Sequence, residues 1–259
     1  MKKLGESFII AFSMYSKIPM PRCDWREDNM SYAMCFWPLV GAVIGALWYI
    51  WGIVRMHVDM TQSFFAAILL LIPFLITGGI HLDGLLDTAD AMSSWQTKER
   101  RLEILKDSHA GAFAVITCAV YFVLYFGICS QLNLTTIGVL APGFLLSRAL
   151  SAYAIVTFPK ARKDGSVATF ARGASTRKVQ ITMIFYILLA AVLMVLAKPV
   201  FGIAALSGAA LVFAYYHHLA MKYFGGTTGD IAGWFLSVCE LVMALVVAAV
   251  WIITGGMGA

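Results

Sequence analysis

The feature that most limits what this chain can fold into is a series of long stretches without charge. Residues 31–54, 61–80, 110–147, 179–197 and 199–221 contain no Asp, Glu, Lys or Arg, and 231–254 contains only Glu240. A hydrocarbon core about 30 Å thick is crossed by roughly 20 residues of apolar helix. Residues 31–54 and 61–80 therefore read as one span each. The 110–147 run is long enough for two, broken near Gln131-Leu132-Asn133, the second continuing through Arg148 to about residue 158. Three more follow. The expected fold is all-α, a polytopic transmembrane helix bundle of about seven spans. An N-terminal interfacial helix at 4–18, ended by Pro19 and Pro21, is too short and too mixed to count as a span. If it did cross, only the N-terminal tail would change side.

Composition agrees. The chain is 61% hydrophobic and 13% charged, whereas a soluble domain carries about 25% charged residues. No repeat, low-complexity tract or linker divides it, so residues 1–259 read as a single integral membrane domain. Lys2 and Lys3 precede a modest apolar run that holds Glu6, a poor match to a removable signal peptide. The five cysteines are scattered with no C-x-x-C pair, which suggests neither a zinc site nor a disulfide framework.

The net charge of +5 takes its meaning from position. With seven spans, the N-terminal 30 residues, 81–109, 159–178 and Lys222 fall on one side and hold 16 of the 19 Lys and Arg residues. Arg55 and Lys198 fall on the other side, and Arg148 lies within a span. The positive-inside rule places the N-terminus and these polar segments in the cytoplasm. Basic residues that lie between apolar runs also make nucleic acid a poor partner.

Twelve of the 14 acidic residues share that side. The sharpest cluster is in Gly78-Gly79-Ile80-His81-Leu82-Asp83-Gly84-Leu85-Leu86-Asp87-Thr88-Ala89-Asp90, where Asp83, Asp87 and Asp90 are spaced i, i+4, i+7. On a helix all three share one face. Like charges crowded at a membrane surface persist when a cation neutralises them or when some are protonated. Mg²⁺ takes one or two carboxylates together with substrate phosphates, so the pattern points to a Mg²⁺-diphosphate site. The competing account has the aspartates capping helices or pairing with Lys and Arg. His81 is a candidate base or a hydrogen-bond anchor for an aspartate.

Other segments carry phosphate chemistry more weakly. Residues 100–109 form an expected surface helix in which Glu103 and Asp107 are again i, i+4, through ligation or a solvated salt-bridged face. Arg162-Lys163-Asp164-Gly165-Ser166 offers a guanidinium fork and an ammonium to phosphate oxygens, although basic loops also arise from topology alone. Gly225-Gly226-Thr227-Thr228-Gly229-Asp230 precedes the last span, and a glycine-rich turn at a helix N-terminus can present N–H groups to an anion. There Asp230 is an N-cap or a further metal or ribose ligand. Arg148 and Glu240, placed within spans, each need an interior partner and can supply one another.

The run from Thr77 to Asp90 resembles the signature of the bacterial cobalamin synthase (adenosylcobinamide-GDP ribazoletransferase) family. Arg101-Leu102-Glu103-Ile104-Leu105-Lys106-Asp107-Ser108 with Gly111-Ala112-Phe113, then Arg162-Lys163-Asp164-Gly165 and Gly226-Thr227-Thr228-Gly229-Asp230, are similar to its later blocks, in order along the chain. The departures are Ala91 in place of Gly, and His109-Ala110 in place of Arg and a larger apolar residue. The resemblance implies a Mg²⁺-dependent enzyme of the bacterial cytoplasmic (inner) membrane. It implies that adenosylcobinamide-GDP reacts with α-ribazole or its 5′-phosphate to give adenosylcobalamin or its 5′-phosphate and GMP. Other cobalamin-assembly enzymes are candidate partners besides the lipid bilayer. On this reading Asp83, Asp87 and Asp90 hold Mg²⁺ and, with His81, form the catalytic set. Lys106, Asp107, Arg162, Lys163, Gly226, Thr228 and Asp230 contact phosphate or ribose.

Three rivals fit less well. A CDP-alcohol phosphotransferase places an Ala-Arg pair soon after its first Asp-Gly, where this chain has Leu85-Leu86-Asp87. A prenyltransferase uses adjacent aspartates, and no Asp-Asp pair occurs. A cation transporter needs access from both faces and tends to show repeats, whereas these carboxylates gather at one face.

Overall fold

The computed structural model describes residues 2–25, 30–162 and 176–255. Over these residues the protein is an all-α bundle, with no strand beyond one isolated parallel bridge between Lys160 and Thr227. In chain order the helices are α1 (Lys2–Tyr15), α2 (Ala33–His57), α3 (Gln62–Thr77), α4 (Ile80–Ser93), α5 (Lys98–Ile104) and α6 (Ala112–Cys129). They continue with α7 (Leu134–Thr157), α8 (Thr176–Ala197), α9 (Pro199–Leu219) and α10 (Gly229–Ile253), a π-helical turn, Ala220–Phe224, separating the last two.

Six of these, α2, α6, α7, α8, α9 and α10, are long and apolar enough to cross a membrane. The seventh expected span is the exception. The uncharged run 61–80 does not form one straight helix: α3 ends at Thr77, and α4 departs from it at 94°. The cause is local, because Gly78 and Gly79 both adopt left-handed backbone, with φ of 67° and 81°, a region that glycine enters without steric cost. The break at Gln131-Leu132-Asn133 lies where the sequence put it. Asn133 there forms a capping box with Thr136 that starts α7.

The N-terminal helix is more than an interfacial attachment. Its 14 residues rise only about 21 Å, short of the membrane core, yet Ser7, Ile10, Ala11 and Phe12 are buried and the helix packs against α2. The chain after it is tied to the α3–α4 corner, where Lys17 N–H donates to the Ile76 carbonyl at 2.7 Å. Helix α7 is the hub, packed against α2, α8 and α10. At mid-bundle Arg148 of α7 and Glu240 of α10, with 1% and 7% of their side chains exposed, pair with one another. Ser147 Oγ donates to the same Glu240 oxygen at 2.9 Å. The mutual pairing that the sequence allowed for these charges is the one formed.

Candidate active site at one end of the bundle

The site is built where α4 crosses the first turn of α10. A Cβ on Gly84 would lie 2.5 Å from the Asp230 carbonyl oxygen, and one on Gly233 would lie 3.1 Å from that of His81. Only glycines allow this approach, which sets Asp83 and Asp87 of α4 beside Asp230 of α10. Thr228 begins α10 by accepting from Ile231 N–H at 3.2 Å, and its hydroxyl also reaches Asp230 Oδ2 at 3.4 Å.

The electrostatic consequence falls on Asp87. Burial, then the charges of Asp83, Asp230 and Asp90, push its carboxyl up to about 7. Asp83 itself is exposed. His81 is driven the other way: burial, and then the charge of Arg148, hold its imidazolium well below the ordinary range. Its buried Nε2 has no hydrogen-bond partner among the described residues.

Asp90 has a different task from its neighbours. Its Oδ2 accepts from Gly111 N–H at 2.6 Å and its Oδ1 from Ala114 N–H at 2.9 Å, so it caps α6 from another helix. A Cβ at Gly111 would fall 2.7 Å from Asp90 Oδ1, so a larger residue there would push the carboxylate out of its capping position. Each carboxylate oxygen keeps a further lone pair, so the cap leaves room for one more contact at each.

The three aspartates share a face but spread along it. Seven residues of helix separate Asp83 from Asp90 by about 10 Å, and among the described residues no three of His, Cys, Asp and Glu converge on a metal-sized volume. The donor set suits a hard cation held by one or two carboxylates, the remaining ligands coming from phosphate and water.

The other expected phosphate ligands are distributed unevenly. Thr227 N–H donates to the Pro159 carbonyl at 2.8 Å, and Ala161 N–H to the Thr227 carbonyl at 3.1 Å. Tyr216 and Thr227 hydroxyls meet at 2.5 Å. The glycine-rich turn is thus folded onto residues 159–161, and the N–H groups of Gly226, Thr227, Ile231 and Ala232 are committed to the chain. This pairing carries Arg162 inward, where its charge acts on Asp230. Its Nη2 donates to the Leu102 carbonyl, while its buried Nε lacks a partner among the described residues. Lys106 and Asp107 lie on the exposed turn after α5. Asp107 accepts there from both the His109 ring at 2.7 Å and the His109 backbone at 3.0 Å, and these bonds hold its carboxyl below the usual range. Glu103 pairs with Arg100 at 2.6 Å on an exposed face. Lys163 lies outside the described residues.

Three residues near the site had no role assigned from the sequence. Arg101 is buried, with its guanidinium over the Tyr223 ring at 4.9 Å, which fixes α5 against the π-helical turn. Tyr15 and Trp37, stacked at 4.5 Å between centroids, wall a cavity of about 190 Å³ that Asp83, His81 and Asp230 also line.

Against this geometry, residues 7–248 match the family described as cobalamin-5-phosphate synthase. The chain belongs to that family. A relative from Lachnoclostridium phytofermentans, named adenosylcobinamide-GDP ribazoletransferase, is 49% identical over 253 residues, 97% of each chain. Relatives of the same name from Clostridium botulinum (strain Alaska E43 / Type E3) and Desulfitobacterium hafniense are 32% and 33% identical, covering 93% and 91% of this chain and 96% and 94% of their own. No solved structure matches. In this member of the cobalamin synthase family, the crossing of α4 and α10 brings Asp83 and Asp87 of the first block beside Asp230 of the last, with the charge of Arg162 acting on Asp230.

Proposed function

We propose that the chain is a Mg²⁺-dependent transferase that moves the adenosylcobinamide-phosphate group from adenosylcobinamide-GDP to α-ribazole or its 5′-phosphate, releasing GMP. The observation that carries this reading is the assembly of Asp83, Asp87 and Asp230 at a glycine-mediated helix crossing, in a chain that matches the family along nearly its whole length. Asp83 and Asp87, one turn apart, are the residues that would hold Mg²⁺, with Asp230 across from them. The cation would supply charge neutralisation for a diphosphate.

Little covalent chemistry falls to the protein in such a transfer; position and electrostatics dominate. Arg162, fixed by Leu102 and directed at Asp230, is the side chain placed to steady a phosphate oxygen, with Lys163 next to it in sequence. The 3′-hydroxyl of ribazole attacks the phosphorus on the cobinamide side. The P–O bond to the GMP phosphate breaks, and the hydroxyl proton passes to a carboxylate of this face. Burial opposes the imidazolium that His81 would become on taking the proton, so it serves better as a fixed polar contact than as the base. Asp90 keeps α6 in place beside the site. The basic loops favour a cytoplasmic location of this end in a bacterial inner membrane, and the whole chain acts as one domain.

The test uses purified protein in liposomes with adenosylcobinamide-GDP and α-ribazole, GMP being followed over time with Mg²⁺ or a chelator. Release that needs both ribazole and Mg²⁺ is expected. Release without ribazole would instead indicate a diphosphate hydrolase, and no release from folded protein would favour another phosphotransferase.

A further inference from the structure

Beside the carboxylates lies the cavity walled by Tyr15 of α1 and Trp37 of α2, bounded by Ile155, Ala232 and Leu236 and open to Asp83 and Asp230. Pockets that enclose a drug-sized ligand run to about 300–1,000 Å³, so a volume of about 190 Å³ admits one flat ring system rather than a whole nucleotide. Two of its lining side chains are almost fully buried and still lack a hydrogen-bond partner among the described residues. These are Trp37, 2% exposed, at Nε1, and His81, 9% exposed, at Nε2. Orphaned polar atoms of this kind are costly unless something satisfies them. A stacked aromatic wall, an apolar remainder and two isolated ring nitrogens describe a seat for an aromatic heterocycle.

We propose that this cavity seats the benzimidazole-type base of the acceptor nucleoside and sets which bases the enzyme accepts. The proposal rests on the transferase reading above. Two heterocycles enter that reaction, the acceptor's base and the guanine of the GDP. Guanine carries donors and acceptors around most of its edge; meeting its N–H groups with Asp83 and Asp230 would take those carboxylates from the cation, and Ile155, Ala232 and Leu236 would leave the rest of the edge unpaired. A benzimidazole bound to ribose through one nitrogen keeps a single ring acceptor, which the Trp37 indole N–H, shielded from solvent in the free protein, can satisfy once the ring turns toward the ligand. With the base against Tyr15 and Trp37, the attached sugar leaves the cavity past Asp83 and Asp230, where its hydroxyl must react. The N-terminal helix, which gave no functional signal in sequence, thereby becomes part of substrate recognition.

Full-length protein in liposomes tests this through separate Michaelis constants for α-ribazole and adenosylcobinamide-GDP. Trp37→Phe removes the donor but keeps the ring, and the loss of one buried hydrogen bond is expected to raise KM for α-ribazole about tenfold, that for adenosylcobinamide-GDP staying within about twofold. Ala232→Leu fills the cavity from α10 and should act in the same direction, which covers a Trp37 variant that fails to fold. In the wild-type protein, equilibrium binding of α-ribazole without Mg²⁺ or the GDP substrate should be displaced by other benzimidazole ribosides and not by guanosine. An unchanged KM for α-ribazole in the folded variants, a rise confined to adenosylcobinamide-GDP, or displacement by guanosine would overturn the assignment. Should wild-type protein release no ribazole-dependent GMP, the transferase reading fails, and the binding experiment judges the cavity by itself. Binding lost in both variants upholds the seat, and its absence from the wild type removes it.

Discussion

The molecule gathers two groups of charges at helix–helix contacts, and they are handled in opposite ways. At mid-bundle, Arg148 and Glu240 neutralise each other and share Ser147. At the end of the bundle, Asp83, Asp87 and Asp230 face one another, Arg162 being the cation that acts on Asp230. Removing one partner from a buried pair leaves an uncompensated charge, which is a structural fault. A crowd of like charges is already unfavourable, and neutralising one member should relieve the fold while removing the function. The two regions therefore make opposite predictions for the same kind of substitution.

The largest effect is expected at Asp87. Asp87→Asn should cut GMP release by about a hundredfold or more, as loss of a group that organises transition-state charge does, with the protein as stable in detergent as the wild type, or more so. Near-normal turnover would remove Asp87 from the cation site. At mid-bundle, Glu240→Gln should cost about 3–5 kcal/mol by leaving Arg148 unpaired. The yield of folded protein and its thermal midpoint should fall while turnover per folded molecule is kept. Pairing Glu240→Leu with Arg148→Met should restore much of the loss. Failure of that double variant to recover would mean that the pair does more than satisfy itself.

How much of this was legible beforehand follows from the range of each interaction. The spans could be read because some 20 apolar residues are a local requirement of the bilayer. The common face of Asp83, Asp87 and Asp90 could be read because helical periodicity is local too. Arg148 and Glu240 could be nominated as partners since few intramembrane charges exist to choose from. The division of labour among the aspartates was out of reach. It depends on Gly111 and Ala114 offering N–H groups to Asp90 across 21 and 24 residues, and on Gly84 touching Asp230, far along the chain. The turn at Gly78-Gly79 was hidden inside an uncharged run, because hydropathy does not register φ. Tyr15 and Trp37 looked like any aromatic packing group until the fold placed them beside the carboxylates.

The crossing itself can be probed at Gly84. Gly84→Ala puts a methyl group against the Asp230 carbonyl at 2.5 Å, backbone on backbone, and overpacking of this kind costs about 1–3 kcal/mol. Turnover should fall as well, because Asp83 and Asp230 separate, whereas Gly127→Ala, with open space at its Cβ, should leave both unchanged. A pH series sharpens the electrostatic side. With its carboxyl up near 7, Asp87 gains its charge at neutral rather than acid pH. The Mg²⁺ concentration for half-maximal activity should therefore fall as pH rises to about 7 and level off above it, by up to about tenfold per unit for a cation that displaces one proton. In cation-free protein the sign is reversed for stability. The raised carboxyl favours the folded state at low pH, and that contribution is lost as pH climbs through about 7.

The smallest expected effect separates the members of the aspartate face from one another. If Asp90 serves α6 as a cap, Asp90→Ala should cost about 1 kcal/mol of stability, the usual value of an N-cap, together with a modest loss of turnover as α6 loosens beside the site. Asp90→Asn, which keeps one side-chain oxygen for Gly111 or Ala114, should recover part of both. A ligand would behave otherwise: the amide would be nearly as damaging as alanine, and added Mg²⁺ would offset the defect. The discriminating quantity is thus the ratio of Asn to Ala activity at position 90, read at saturating and limiting Mg²⁺. A ratio well above one and insensitive to Mg²⁺ assigns the carboxylate to the helix, and a ratio near one that depends on Mg²⁺ assigns it to the cation, with Asp83 and Asp87.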